Sequence, residues 1–337
     1  MKIKNAITKL LLAALFVVPL SANANNVQRT FCVFDLIGKQ GDVFSMMEDY
    51  RLEALKWNVE LTLKPYTDEK IAAEDLKSGK CDAAIMTGLR GRSFNSFVGT
   101  LDSIGSIPTY DHMEQILKLL LSNKLSKYMT SGEYEVVGVT PAGAAYLFTN
   151  DKNINSVAKM SGKKVAVLDF DKAQPIMVAS IGASPVNATI ATFGPMFNNG
   201  SVDIIAAPAM AYGPLELYKG LGENGAIANF AIAQLSLQII IRKDQFPESF
   251  GQKSRSYVWS QFNKAVNLIE GNTDSINPSY WMDISEKDQN GYNELLRQTR
   301  ISLRDQGIYN AKMLKFLAKV RCKMDASLSE CTASDRE

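Results

Sequence analysis

The chain holds few residues able to carry chemistry. Its single histidine, His112, lies in the polar segment PTYDH, and its four cysteines are Cys32, Cys81, Cys322 and Cys331. A Ser-His-Asp arrangement would therefore have one base to draw on, in a surface loop or at a helix start. No G-x-S-x-G elbow, P-loop, G-x-G-x-x-G after a strand or H-E-x-x-H occurs. A histidine remote in sequence from every cysteine cluster does not make a zinc set, so no metal, cofactor or enzymatic turnover is expected. The remaining candidates are charged and aromatic groups at the ends of apolar runs: Asp35 after FCVF, Arg90 and Arg92 in GLRGR, and Asp169, Phe170 and Asp171 after KKVAVL. In open α/β sheets ligands sit beyond the carboxyl ends of the strands, so these residues point to binding. Gly38 to Gly41 (GKQG, with Lys39) could hold an anion at the next helix start; a turn that needs glycines accounts for the same residues.

The first 24 residues have a basic start (Lys2, Lys4, Lys9), an apolar run from Leu10 to Leu20, and Ala22-Asn23-Ala24 as an A-x-A signal. That is the pattern of a secretory signal peptide cleaved near Ala24, its apolar run shorter than the ~20 residues that span a bilayer. Export to the periplasm is the expectation. Losing three lysines and no acid leaves 34 basic against 35 acidic residues. With no basic block, nucleic-acid binding has no support. An even cysteine count in an exported chain favours disulfides. Three pairings are possible. Cys32 and Cys81 stand near the starts of two strands and Cys322 and Cys331 bracket a short polar loop, which favours Cys32–Cys81 and Cys322–Cys331.

Such strand ends need a parallel sheet to hold them, and the chain reads that way. TFCVFDLIG, NVELTLKPY and CDAAIMTG alternate with VFSMMEDYRLEALKW and TDEKIAAEDLKSG, the pattern of an α/β sheet. Thr67 starts the second helix and Gly79 stops it. In DHMEQILKLLLSNKLSKYM, residues Ile116, Leu119, Leu120 and Leu125 mark a core-facing stripe. A second set follows: YEVVGVTP and AAYLFTND as strands, KKVAVLDF, then VDIIAAPA, with helices QPIMVASIG and ATFGPMFNNG between. FAIAQLSLQIIIRKDQF returns as a buried strand, since Gln234, Gln238 and Arg242 disfavour a membrane span. From Ser254 the chain is helical. About 310 residues after cleavage call for two lobes.

The order of these motifs resembles the extracytoplasmic solute receptors of tripartite (TRAP-type, DctP-like) transporters. The resemblance rests on LKSGKCDAAIMTG, SIGSIPTYDHMEQIL, FTNDKNINSVAKMSGKKVAVLD, GASPVNATIATFGPMFNNGSVDIIAAP and FAIAQLSLQIIIRKDQFPESF, over roughly residues 28 to 310. More narrowly, the chain is similar to the solute-binding proteins labelled AdeT, some of which carry an aminoglycoside-efflux label. The resemblance implies a type II periplasmic binding-protein fold, two α/β lobes closing on a ligand by a hinge, with C-terminal helices. Residues 25–145 would begin lobe I, residues 146–235 form lobe II, and residues 236–337 return to lobe I and supply the C-terminal helices. The implied function is periplasmic capture of a small polar molecule for a TRAP permease. The alternative is a soluble periplasmic accessory to drug efflux.

The resemblance also implies what the site lacks. Receptors of this family grip a ligand carboxylate with an arginine on the strand matched by KKVAVL, and that position is Ala166. A second arginine falls at Tyr146 and an asparagine near Ala207. Losing a bidentate, charge-assisted contact costs orders of magnitude in affinity for an organic acid. The groups left are Asp35, Asp169, Asp171, Tyr146, Phe148, Phe170 and Tyr212, which suit a neutral or cationic ligand held between aromatic faces, with Asp169 or Asp35 pairing its amine. Arg90 and Arg92 could instead restore anion binding from the other lobe. Asp169 and Asp171 also read as a helix-capping pair.

Overall fold

The computed structural model describes residues 26–333 and residue 337; the signal-peptide segment lies outside the described residues. The strands are β1 (Val27–Phe34), β2 (Val59–Tyr66), β3 (Ala83–Thr87), β4 (Thr130–Ser131), β5 (Tyr134–Thr149), β6 (Lys164–Leu168), β7 (Ser184–Ala188), β8 (Ile204–Pro208), β9 (Ala226–Ala228), β10 (Ala233–Arg242) and β11 (Trp281–Met282). Their backbone follows the order β2-β1-β3-β10-β5-β8-β6-β7. One wing is β1 with β2 and β3 as parallel neighbours. The other is β6 between β7 and β8, again parallel. The carboxyl ends of β1 and β3 in one wing and of β6 and β8 in the other border a single cavity.

The two long antiparallel strands join the wings. β5 pairs with β10 over Tyr134–Ala145 and with β8 over Ala145–Thr149, so one strand serves both lobes. The sequence breaks this segment into two strands at Pro141-Ala142-Gly143. The chain instead continues through them, absorbing the punctuation with Gly143 at φ +101° and with register shifts against β10. A β-carbon at residue 143 would face that dihedral, which L side chains rarely adopt.

Each wing is covered on both faces. The first is sandwiched by a core containing Leu76, Met113, Ile116 and Leu317 and by one containing Phe31, Tyr50, Trp57 and Phe250. Phe148, Phe193, Phe197 and Ile205 form one face of the second, and Leu147, Val165, Val178 and Ile204 the other. Such two-faced burial is what parallel strands require. The helix expected over residues 111–129 ends at Leu120 and a separate turn starts at Asn123. Within the helix the buried stripe is Met113, Ile116, Leu117 and Leu120, and Leu119, 44% exposed, lies off it. Leu119 is thus a correction to the expected stripe. Asp68, one residue after the expected Thr67, caps the helix Glu69–Lys77, and Gly79 at φ +78° follows its end.

Both expected disulfides are formed, Cys32–Cys81 and Cys322–Cys331. The helices Glu286–Asp305 and Ala311–Met324 pack one against each wing, the first on the helix Ala173–Ser180 and the second on the helix Tyr110–Leu120. Arg300 and Arg321, both buried, tie this layer to the first lobe by donating to the carbonyls of Ile104 and Ser106. Among the described residues no helix is long and apolar enough to cross a membrane.

Candidate functional site

A cavity of about 210 Å³ lies where the strand ends of the two wings meet. Phe34 to Ile37 and Thr87 line it from the first wing, and Val165 to Leu168 and Ala206 to Pro208 from the second. Ala142, Ala145, Leu235, Ser236 and Leu237 of the joining strands complete its wall. The cleft is thus built by the topology itself, since every strand that borders it either ends there or runs through it.

Asp35 borders the cleft, but its carboxylate is already committed. It accepts N–H bonds from Ile37 at 3.0 Å, Val43 at 2.9 Å and Phe44 at 3.2 Å. It therefore fills the start of the helix Asp42–Leu55, the place where GKQG could have held an external anion. Gly41 is required beside it, because a β-carbon there would stand 1.9 Å from the carboxylate. Lys39 is exposed on the turn and does not line the cavity.

The two arginines after β3 turn to the opposite lobe. Arg90 lies 3.5 Å from the ring centroid of Phe170 and donates through Nε to buried Glu69 at 3.3 Å. Burial pushes the Glu69 carboxyl up, while Thr87 and Arg90 pull it back down. Arg92 donates to Asp171 at 3.1 Å and lies 4.9 Å from the Tyr309 ring. Asp171 also accepts from the Ala173 N–H at 2.8 Å, so its helix-capping expectation and its interlobe role coincide. Asp169 points out to solvent and does not line the cavity.

The expected aromatic faces are packed elsewhere. Tyr146 meets Trp281 edge-on at 4.9 Å and Phe148, fully buried, stacks with Tyr212 at 6.4 Å. Among the eleven candidate binding residues, the structure brings Asp35, Ala166 and Ala207 to the cleft wall. Lys39, Arg90, Arg92, Tyr146, Phe148, Asp169, Phe170 and Tyr212 do not line it.

Asp102 and Ser236, both on the cleft wall, escaped the sequence reading. Asp102 is 1% exposed and accepts from Ser236 twice, from the backbone N–H at 3.0 Å and from Oγ at 2.6 Å. Burial raises its pKa to about 7, against the lowering effect of the Ser236 bonds. Gln238 donates to Ser236 Oγ at 3.3 Å and to the Val98 carbonyl at 3.2 Å. A signal was present: Gln234, Ser236 and Gln238 recur at every second position of an otherwise apolar strand, which puts all three on one face. Gly88 makes room for this wall, since a β-carbon there would stand 2.5 Å from Ser236 Oγ and 2.6 Å from the Asp102 carboxylate.

Fold and cleft together define a two-lobed solute-binding protein. Crystal structures of TRAP periplasmic solute-binding proteins share the architecture: one from Ralstonia eutropha H16 with bound (S)-2-acetolactate superposes with TM-score 0.72 at 10% identity, covering 88% of this chain and 99% of that one. Another, from Desulfovibrio salexigens with bound orotic acid, gives 0.70 at 14% identity over 88% and 99%. At the sequence level, the family of "Solute-binding protein AdeT 1/2" matches residues 52–336. "Probable solute-binding protein AdeT1" of Acinetobacter baumannii is 48% identical over 303 residues, 90% of this chain and all of that protein. AdeT2 of the same organism is 28% identical over 237 residues, 70% of this chain and all of its own length. The chain belongs to the AdeT 1/2 solute-binding protein family.

Proposed function

We propose that this protein captures a small molecule in the cleft between its lobes and hands it to an integral-membrane permease of the tripartite type after export to the periplasm. One observation carries the reading: a cavity of about 210 Å³ bounded by strand ends from both wings, the place where lobe closure can enclose a ligand. In this reading lobe I begins with residues 25–145, lobe II is residues 146–235, and residues 236–337 return to lobe I. Those boundaries fall inside or beside β5 and β10, which both lobes share. The role is binding and release without turnover. No observation favours the accessory-to-efflux reading.

The test is a thermal-shift screen of the purified protein against organic acids, neutral aromatics, amino acids, polyamines and aminoglycosides. A receptor gains about 2.7 kcal/mol at a ligand concentration 100 times its Kd, which raises Tm by several degrees. Binding should also contract the protein in small-angle scattering. Absence of a shift with every class would remove the receptor reading.

A further inference from the structure

The cleft wall departs from what a charged solute needs. Around the cavity stand Ala166, Val178, Phe193, Ala207, Met210 and Leu235, while among the described residues no lysine or arginine lines it. The charged groups that do line it are Asp35, Asp42, Asp102 and Asp171. A ligand carboxylate would enter a desolvated space bordered by acids, with no cation in contact. An ammonium is scarcely better served: the Asp35 carboxylate holds three N–H donors of the helix start, Asp171 is paired with Arg92, Asp42 is exposed at the rim, and burial of Asp102 favours its neutral carboxyl.

One polar pair remains on the inner wall. Each Asp102 oxygen accepts one bond from Ser236 and, having two lone pairs, can accept another. The acceptor oxygen of Gln174 is taken by the Leu168 N–H at 2.7 Å. Thr87 Oγ1 accepts from the Arg90 N–H at 3.2 Å. The space itself sets a size: a cavity of about 150 Å³ lined by Leu, Ile and Phe takes a benzene ring, so this one has room for a substituted ring.

Resting on the receptor reading above, we infer that the cleft takes an uncharged molecule with an apolar body of one ring or similar bulk, whose single hydroxyl or N–H donor bonds the Asp102–Ser236 wall. The apolar wall supplies the affinity and Asp102 the orientation.

The experiment is isothermal titration calorimetry of the purified protein with p-cresol, indole and cyclohexanol, alongside toluene, succinate, galacturonate and spermidine. The inference expects the three neutral donors to bind with a negative heat-capacity change. Toluene, which has the shape of p-cresol without its donor, should bind about tenfold more weakly. Ala207→Phe, which fills the cavity, should abolish p-cresol binding, and Asp102→Asn should narrow the gap between p-cresol and toluene. Circular dichroism of both variants checks that they fold; should one fail, the toluene comparison on the unaltered protein still decides.

Tighter binding of succinate or galacturonate would overturn the ligand class and leave the receptor reading standing, with Arg92 Nη2, a buried donor lacking a hydrogen-bond partner, as the group to examine. Tighter binding of spermidine would overturn it in the same way. Binding of p-cresol unaffected by Ala207→Phe would place the compound elsewhere and overturn the inference. No binding by any compound would overturn both readings.

Discussion

The guanidinium of Arg92, just past β3 in the first wing, lies 3.1 Å from the carboxylate of Asp171, just past β6 in the second. Their side chains are 11% and 2% exposed, and Arg90 on Phe170 repeats the connection two residues away. Two adjacent pairs thus bridge the lobes beside the cleft. Removing one partner from a buried ion pair leaves the other charge uncompensated, whereas replacing both with apolar groups is far better tolerated. Asp171→Ala is therefore expected to cost roughly 3 kcal/mol in urea denaturation or to open the lobes in scattering. The double variant Arg92→Met, Asp171→Leu should recover much of that loss. Purely additive losses would show that the pair is not coupled.

Asp102 makes stability depend on pH in a stated direction. Its pKa is about 7 in the folded protein and 3.8 by default. The folded state therefore holds a proton that the unfolded state releases, and the associated stability is fully present below pH 3.8 and lost as pH rises through about 7. A separation of that size corresponds to at most ~4 kcal/mol. Urea midpoints measured from pH 4 to 8 should fall in this window, after other titrating groups are matched by comparison with Asp102→Asn. A variant curve parallel to that of the unaltered protein would assign the slope to other groups.

The sequence carried the wings well because parallel strands announce themselves as short apolar runs bounded by helical periodicity, as in CDAAIMTG and KKVAVLDF. The cleft was harder. Asp169 and Asp171 differ by two positions in a turn, and sequence has no means to say that the turn sends Asp169 to solvent and Asp171 to Arg92. Tyr146 and Phe148 lie on a strand that both lobes share, and packing against Trp281 and Tyr212 absorbs them. Asp102 follows a helical turn far from β10 in sequence, so its pairing with Ser236 exists only in three dimensions. What was legible was the polar face of β10, at Gln234, Ser236 and Gln238.

Asp35 is expected to matter for the fold more than for the ligand. Three N–H groups depend on its carboxylate, two of them in the first turn of the helix Asp42–Leu55. Asp35→Ala should lower stability by about 1–2 kcal/mol, as losses of N-caps do, and Gly41→Ala by about 1–3 kcal/mol, because its β-carbon overlaps the cap. Ranking of ligands by affinity should survive both changes. If Asp35→Ala instead leaves the urea midpoint unchanged and reverses that ranking, the carboxylate is a ligand contact.

The C-terminal disulfide is positioned to hold a buried charge cluster. Cys322 and Cys331 close a loop whose flanking residues, Arg321 and Glu330, face each other through two bonds of 2.6 and 2.7 Å. Arg321 also meets Glu337 at 2.8 Å, and Arg300 meets Glu337 at 2.6 Å. Through the carbonyls of Ile104 and Ser106 these arginines brace the segment after Asp102, so the clasp supports the cleft wall from behind. Opening a loop of this length is expected to cost ~2.7 kcal/mol by chain entropy. The Cys322→Ser, Cys331→Ser variant should lose about that much and should show faster amide exchange in residues 103–106 as well as in the tail. Exchange that quickens in the tail alone would confine the clasp to local structure and separate it from the cleft.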